Sequence, residues 1–319
     1  PTSLTLRYQR QTTLRYGENP HQAGALYVDP DGCQSSVAQA KQVHGKPLSF
    51  CNLYDANGAL ELVKEIDANY LAAVAVIKHA NPCGFAVDQQ LDLAFDKAYA
   101  GDPLAAFGGI VACNRPVESG AAQRMVSADH FLEVIVAPSY DDDALAILQE
   151  RWKNTRLLAV GPPDSAAVGC DFKSITGGLL VHQRDQVPFD PSQWNHVAGP
   201  QPKETDLRQM TIAMIAVKHL KSNAVCLVND NMLVGAGAGQ MDRLACCHIA
   251  IDKAGDRARG AVAASDAFFP FRDGPDQLIT AGVRGIVEPG GSKRDDQTIQ
   301  ACNDAGITLV FTGRRHFRH

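Results

Sequence analysis

The stretch VAVIKHANPCGF, residues 74–85, sets an ammonium and an imidazole side by side, Lys78 and His79, at the end of an apolar run. Asn81, Pro82, Cys83 and Gly84 follow, and read as the turn after a strand. Three chemistries fit these residue types: a zinc site, an acid–base pair, or a bland turn after a buried strand. A zinc deaminase needs H-x-E and P-C-x-x-C to supply ligands and a general acid/base. Here Ala80 and Asn81 follow His79, and Ala86 stands three residues after Cys83, so both halves of that pattern are missing. An imidazole titrates near neutrality and can take a proton from an attacking nitrogen, while a neighbouring ammonium can stabilise an oxyanion or protonate a leaving group. The same dipeptide also reads as a surface lysine beside a half-buried histidine, and the spacing leaves both open.

Other segments offer binding rather than acid–base chemistry. VGAGAGQMDR, 234–243, reads as a glycine loop that follows a strand and opens a helix. Such backbone can approach a ligand and present N–H groups to an anion, yet it lacks the G-x-G-x-x-G dinucleotide spacing, and a tight turn is the alternative. AAFGG, 105–109, reads similarly before a strand. SDAFFPFRDGPD, 265–276, sets three phenylalanines and a proline before a helix that Asp273 would cap, with Pro275 in its first turn. Its rings could stack on a flat heterocycle or seal the core. LRYGENPHQ, 14–22, and GRRHFRH, 313–319, mix Arg, His and an aromatic; arginine forks suit phosphate, and solvated basic ends are the ordinary alternative.

The elements that must position these residues are written twice. A shift of 151 residues carries VAVI (74–77) onto VCLV (225–228), GIVA (109–112) onto GAVA (260–263), VIVAP (134–138) onto GIVEP (285–289), and RLLAV (156–160) onto ITLVF (307–311). Between them LDLAFDKAYA falls on DRLACCHIAI at that shift, and DDDALAILQERW on KRDDQTIQACND at a shift of 152. Ala59, Val63 and Ile66 repeat at helical spacing after Asp55, as Met210, Met214 and Val217 do after Asp206. Each copy reads helix, strand, helix, strand, helix, strand, helix, strand. We expect a duplicated α/β architecture with parallel strand pairs covered by helices. A polar excursion at about 161–205 separates the copies, giving domains of 1–200, with an N-terminal arm and the connecting excursion, and 201–319. Ligands of open α/β sheets gather beyond strand carboxyl ends, which is where Lys78 and His79 fall.

Composition narrows the classes. The chain is 45% hydrophobic and 20% charged, ordinary for a globular protein, with no apolar run near the roughly 18 residues of a membrane span. A net charge of -5 argues against a general nucleic-acid or membrane-surface binder. Nine cysteines without CxxC read as reduced thiols of a cytoplasmic protein.

LRYGENPHQ, GKPLSFCNLYDANGALELV, VIKHANPCG, DPLAAFGGIVA, KHLKSNAVC, GAGAGQMDR, SDAFFPFRDG and RRHFRH together resemble, in order over residues 14–319, the formyltransferase domain of the bifunctional purine-biosynthesis family that joins AICAR transformylase to IMP cyclohydrolase. The resemblance implies a duplicated cytidine-deaminase-like fold without zinc. It implies transfer of a formyl group from 10-formyltetrahydrofolate to the 5-amino group of AICAR (5-aminoimidazole-4-carboxamide ribonucleotide). His79 would then be the base and Lys78 would stabilise the oxyanion or protonate the folate nitrogen. Asn223 would hold the carboxamide and amine, with Asn52, Gly108 and Glu133 lining the nucleotide pocket. Arg15, Tyr16 and Arg315 would hold the phosphate end and Phe317 would lie against the base. The folate would lie by Phe268, Pro270, Phe271 and Asp273, with Arg243 near its tail. A potassium ion near Val217, Ser222 and Asp266 and a homodimer with shared sites are further implications. Nothing in the chain matches the family's cyclohydrolase domain, so ring closure to IMP is not expected of these residues. Opening at Pro1 rather than Met, the chain reads as a fragment, a processed product or a stand-alone transformylase. The competing reading is a non-catalytic nucleotide- or folate-binding module of a larger assembly.

Overall fold

The computed structural model describes residues 2–32, 35–127, 130–163 and 169–319. An N-terminal arm forms a two-stranded ribbon of β1 (Gln9–Leu14) and β2 (Gly24–Val28). The first half then runs β3 (Lys41–His44), α1 (Phe50–Val63), β4 (Ala72–Lys78), β5 (Asn81–Asp88), α2 (Leu91–Gly101), the short α3 (Pro103–Ala106), β6 (Gly109–Cys113), α4 (Ser119–Val126), β7 (Leu132–Ala137), α5 (Asp142–Arg151) and β8 (Arg156–Ala159). A hairpin of β9 (Cys170–Ile175) and β10 (Gly178–Gln183) precedes β11 (Asn195–Ala198); of the expected excursion, residues 164–168 lie outside the described residues. The second half runs α6 (Glu204–Lys218), β12 (Ala224–Asn229), β13 (Met232–Ala238), α7 (Arg243–Ala254), β14 (Val262–Ser265), α8 (Asp273–Thr280), β15 (Gly285–Glu288), α9 (Asp295–Ala305) and β16 (Thr308–Phe311).

Twelve strands form one mixed sheet in the order β11-β16-β15-β14-β12-β13-β5-β4-β6-β7-β8-β3. The order reads the same outward from the centre in both halves: an antiparallel hairpin, a third strand antiparallel to its first arm, two parallel strands, and an antiparallel edge. The halves join where β13 lies antiparallel to β5 at Met232 and Ala86. Consequently β4 and β12 run in opposite directions, and the carboxyl end of β4 meets the amino end of β12.

Strand alternation divides the core. Ala73, Ala75 and Ile77 of β4 face α1 and α6 in one cluster that spans both halves, while Ala72, Val74 and Val76 face α2, α4 and α5. A third cluster packs α7, α8 and α9 on the second half.

The hairpin strands correct the sequence reading. Asn81–Gly84, read as a turn, opens β5, and the turn is the two residues His79 and Ala80. The pairing of Val76 with Gly84 and Ile77 with Pro82 leaves Cys83 bulged, which is how a proline enters an inner strand. Likewise Gly235 and Gly237, read as a loop, lie within β13. A Cβ on Gly235 would sit 2.1 Å from the Ala250 carbonyl oxygen, and one on Gly237 2.1 Å from that of Cys246. These glycines let α7 press onto the sheet rather than cradle an anion.

Candidate active site

The β4–β5 turn holds two consecutive residues in the left-handed region, His79 at φ 50° and Ala80 at φ 62°. The matching β12–β13 turn has Asp230 and Asn231 at φ 49° and 58°. Asn, Asp and, to a lesser degree, His visit this conformation; for a residue such as Ala80 it costs roughly 1–2 kcal/mol. The first turn therefore carries strain that its counterpart avoids, a feature that clusters at functional sites. His79 is exposed at its tip. The Ala80 N–H donates to Asp55 Oδ1 of α1 at 2.8 Å, and Asn81 Nδ2 donates to the His79 carbonyl at 3.2 Å. Burial raises the Asp55 carboxyl above its ordinary value against the Ala80 N–H and the charges of His79 and Lys78.

Lys78 Nζ donates to the Phe107 and Gly108 carbonyls, both at 3.1 Å. Gly108 has φ 68°, and a Cβ there would meet Lys78 Nζ at 3.3 Å, so a glycine suits the backbone beside the ammonium. Its N–H donates to the Phe131 carbonyl at 2.7 Å.

The second half closes this edge because its strands run the other way. Asn81 Oδ1 accepts the Lys221 N–H at 3.0 Å, placing the turn against the segment that leads into β12. Two residues on, Asn223 Nδ2 donates to the Gln240 carbonyl at 2.9 Å, and its Oδ1 accepts from Arg243 Nη2 at 3.0 Å. The same Nη2 pairs at 2.7 Å with the fully buried Asp266, whose other oxygen accepts from the Ser222 hydroxyl. Arg243 Nη1 donates to the Phe268 carbonyl at 3.3 Å, which ties the aromatic segment after β14 to the network. Within that segment Phe269 is buried, whereas Phe268, Pro270, Phe271 and Asp273 are exposed. Arg294 stacks over Phe271 at 4.7 Å. Asp273 is the first residue of α8, with Arg272 at the cap position.

The C-terminal segment threads the same edge: the His316 N–H donates to the Asp266 carbonyl at 2.9 Å, and the Arg318 carbonyl accepts the Ser222 N–H at 2.8 Å. Arg318 Nη1 donates to His219 Nδ1 at 2.9 Å, so Nε2 of that ring donates to Glu65 at 3.2 Å. Burial pushes His219 below its ordinary value, and Arg318 adds to this against the pull of Glu65. Lys218 pairs with Glu65 at 2.7 Å and completes a largely buried network between the segment after α1, the end of α6 and the tail.

Of the remaining candidates, Arg15, Tyr16, Asn52 and Glu133 sit apart, while Arg315 and Phe317 belong to the C-terminal segment. Arg15 lines a cavity of about 480 Å³ with Lys46, Ser49 and Arg156, and Glu133 is ion-paired to Arg156. Arg15 stacks on Tyr16 and donates to its hydroxyl at 2.8 Å. Asn52 caps α1 reciprocally with Ser49. Phe317 lines a cavity of about 430 Å³ with Lys218, His219 and Arg318, and Arg315 stacks on its ring at 4.6 Å. Lys78, Asn81 and Cys83 line a third cavity, of about 220 Å³, between the halves. One chain thus assembles Lys78, His79, Gly108, Asn223, Arg243 and Phe268 along one sheet edge, and leaves Arg15, Tyr16, Asn52 and Glu133 outside that network. Asp55 and Asn81 were missed as site residues: their partners lie 25 and 140 residues away, beyond any local pattern.

Among the described residues no cluster of three or more His, Cys, Asp or Glu could hold a metal ion, and no helix is long and apolar enough to cross a membrane.

Residues 1–253 match the model of the AICARFT/IMPCHase bienzyme family. The bifunctional purine biosynthesis protein PurH of Streptococcus gordonii is 44% identical over 321 residues, covering all of this chain and 62% of that protein. Its namesakes in Oceanobacillus iheyensis and Shouchella clausii are 44% and 47% identical over 319 residues, with 61% of each covered. The chain therefore spans about three-fifths of the length of these relatives. Among solved structures, RibD of Acinetobacter baumannii aligns over 33% of each chain at 19% identity with a TM-score of 0.24, too slight a likeness to argue from.

Proposed function

The chain belongs to the AICARFT/IMPCHase bienzyme family, and from that premise we propose that it is an AICAR formyltransferase, moving the formyl group of 10-formyltetrahydrofolate to the 5-amino group of AICAR. The observation that carries this reading is the convergence of Lys78, His79 and Asn223 from opposite halves onto one sheet edge. In this mechanism the amine nitrogen attacks the formyl carbon, His79 accepts the amine proton, and the oxyanion forms beside Lys78. Collapse breaks the bond to the folate nitrogen, which takes up a proton, and releases formyl-AICAR and tetrahydrofolate. An aromatic amine next to a carboxamide is a weak nucleophile, so proton removal during attack is where a base helps most. The two Lys78 hydrogen bonds to backbone carbonyls fix its ammonium before the charge develops.

Asn223, oriented by Arg243 and Gln240, would hold the carboxamide and amine. Phe268, Pro270, Phe271 and Asp273 would receive the folate, with Arg243 near its tail. Asn52, Gly108 and Glu133 would line the nucleotide pocket, Phe317 would lie against the base, and Arg15, Tyr16 and Arg315 would take the phosphate. A homodimer accounts for the distance between these groups, each chain supplying what its partner's site lacks. The β9–β10 hairpin supports it, since Phe172, Leu179, Leu180 and Val181 are all exposed and an isolated hairpin is marginal in water. Potassium would be held near Val217, Ser222 and Asp266, where backbone, hydroxyl and carboxylate oxygens are the available donors. We read the halves, 1–200 and 201–319, as duplicated cytidine-deaminase-like units of a cytoplasmic enzyme. Their shared strand order supports that reading.

The test is AICAR-dependent release of tetrahydrofolate from 10-formyltetrahydrofolate, followed by absorbance, with the product identified by mass. Formyl-AICAR without IMP is expected. His79→Ala should stay folded and lose about 10²-fold or more in turnover, the scale of a lost general base. Unchanged turnover would remove His79 from the mechanism.

A further inference from the structure

Resting on that activity, we propose that Asp55 is a positioning residue for His79, its carboxylate holding the His79–Ala80 turn in the left-handed geometry that presents the imidazole at the sheet edge. Three observations carry this. The turn is of a kind that glycine, asparagine and aspartate occupy readily, and the second half uses Asp230 and Asn231 for it, whereas the first uses His79 and Ala80. A geometry that the residues themselves disfavour must be held by something outside them. Asp55 Oδ1 is that restraint, accepting the Ala80 N–H at 2.8 Å from α1, an element rooted in the shared core.

The second observation is propensity. Aspartate is a weak helix former away from the first turn, and Asp55 lies well inside α1. The third is divergence between the halves. Asp206 stands 151 residues on, as the repeat requires, but it accepts the Lys203 N–H to cap α6 and pairs with Arg284. The charged groups around Asp55 are His79 and Lys78. It therefore acts on the base through the backbone that carries it, while the Asn81 hydrogen bond to Lys221 braces the turn from the other half.

The experiment compares the wild-type chain with Asp55→Ala, Asp55→Asn, Ala80→Gly and the double variant Asp55→Ala/Ala80→Gly. Asp55→Ala should lower kcat by about tenfold to a hundredfold, the loss expected of a misplaced catalytic group, with both KM values within about twofold. Asp55→Asn keeps an acceptor for the Ala80 N–H and should stay within about threefold of wild type. A glycine in place of Ala80 adopts the left-handed region freely, so the double variant should regain most of the lost kcat. In protein labelled with ¹⁵N-alanine, the Ala80 amide proton, identified by its loss in Ala80→Gly, should move upfield in Asp55→Ala. Wild-type kcat in Asp55→Ala, or a loss that neither the asparagine nor the added glycine repairs, would overturn the proposal. Should the wild-type chain show no turnover, the formyltransferase reading fails by itself, and an Ala80 amide unmoved by Asp55→Ala would still refute the restraint.

Discussion

Glu288 closes β15 without any exposed surface; its Oε2 accepts the Phe269 N–H at 2.8 Å, and its Oε1 has no hydrogen-bond partner among the described residues. Burial, with the charge of Asp295 adding to it, lifts this carboxyl from 4.5 to about 8. The folded chain thus keeps a proton that the unfolded chain releases between those values, so this group's contribution to stability is full below about 4.5 and declines as pH rises to about 8. Glu288→Gln retains the acceptor for Phe269 and abolishes the ionisation. Urea midpoints of the two proteins should run in constant relation below pH 4.5, then separate in favour of the glutamine variant up to pH 8 and stay separated above it. Parallel curves across that range would place the proton elsewhere. Residue types alone left Lys78 and His79 open between an acid–base pair and a surface lysine beside a half-buried histidine, and the resemblance to the family decided between them. Glu288 and Asp55 escaped notice because an acid's role depends on burial and on distant partners, which no local spacing records.

Helix and strand order was legible in the 151-residue repeat wherever apolar runs were unbroken. It failed at β5 and β13, whose runs carry proline and glycine that normally announce turns. The physical reason is backbone proximity: a Cβ at Gly84 would lie 1.9 Å from the Ala98 carbonyl oxygen of α2, the same kind of close approach that Gly235 permits to α7. Gly84→Ala should therefore cost about 3 kcal/mol or more, because the clash is with helix backbone rather than a movable side chain. Gly58, within α1, is the internal contrast. Among the described residues, nothing beyond its own helix backbone lies within 4 Å of where a Cβ would stand. Gly58→Ala should accordingly stabilise by roughly 0.5–1 kcal/mol through the entropy of the unfolded chain. Denaturant titrations of both variants check the pair. A mild effect at Gly84 would mean that α2 can ride away from the sheet.

The repeat foretold two similar halves but not how they face each other. The antiparallel junction of β5 with β13 sets that relation, and with it Lys221, two residues before Asn223, lies against Asn81 beside the turn that carries His79. Closure in one chain still leaves Arg15 and Glu133 lining or bordering another cavity, and the β9–β10 hairpin exposed. On the hairpin, Phe172 pairs with Val181 and Ser174 with Leu179, so Phe172, Leu179 and Val181 share one apolar face. A second copy of the chain is the partner that the proposed shared site requires. Leu179→Glu/Val181→Glu places two charges on that face without touching Lys78, His79 or Asn223. Sedimentation at micromolar concentration should show the wild-type chain as a dimer and this variant as a monomer, with tetrahydrofolate release falling in step. Turnover kept by the monomer would mean that one chain holds a complete site, and Arg15 would then lose its assignment to the phosphate.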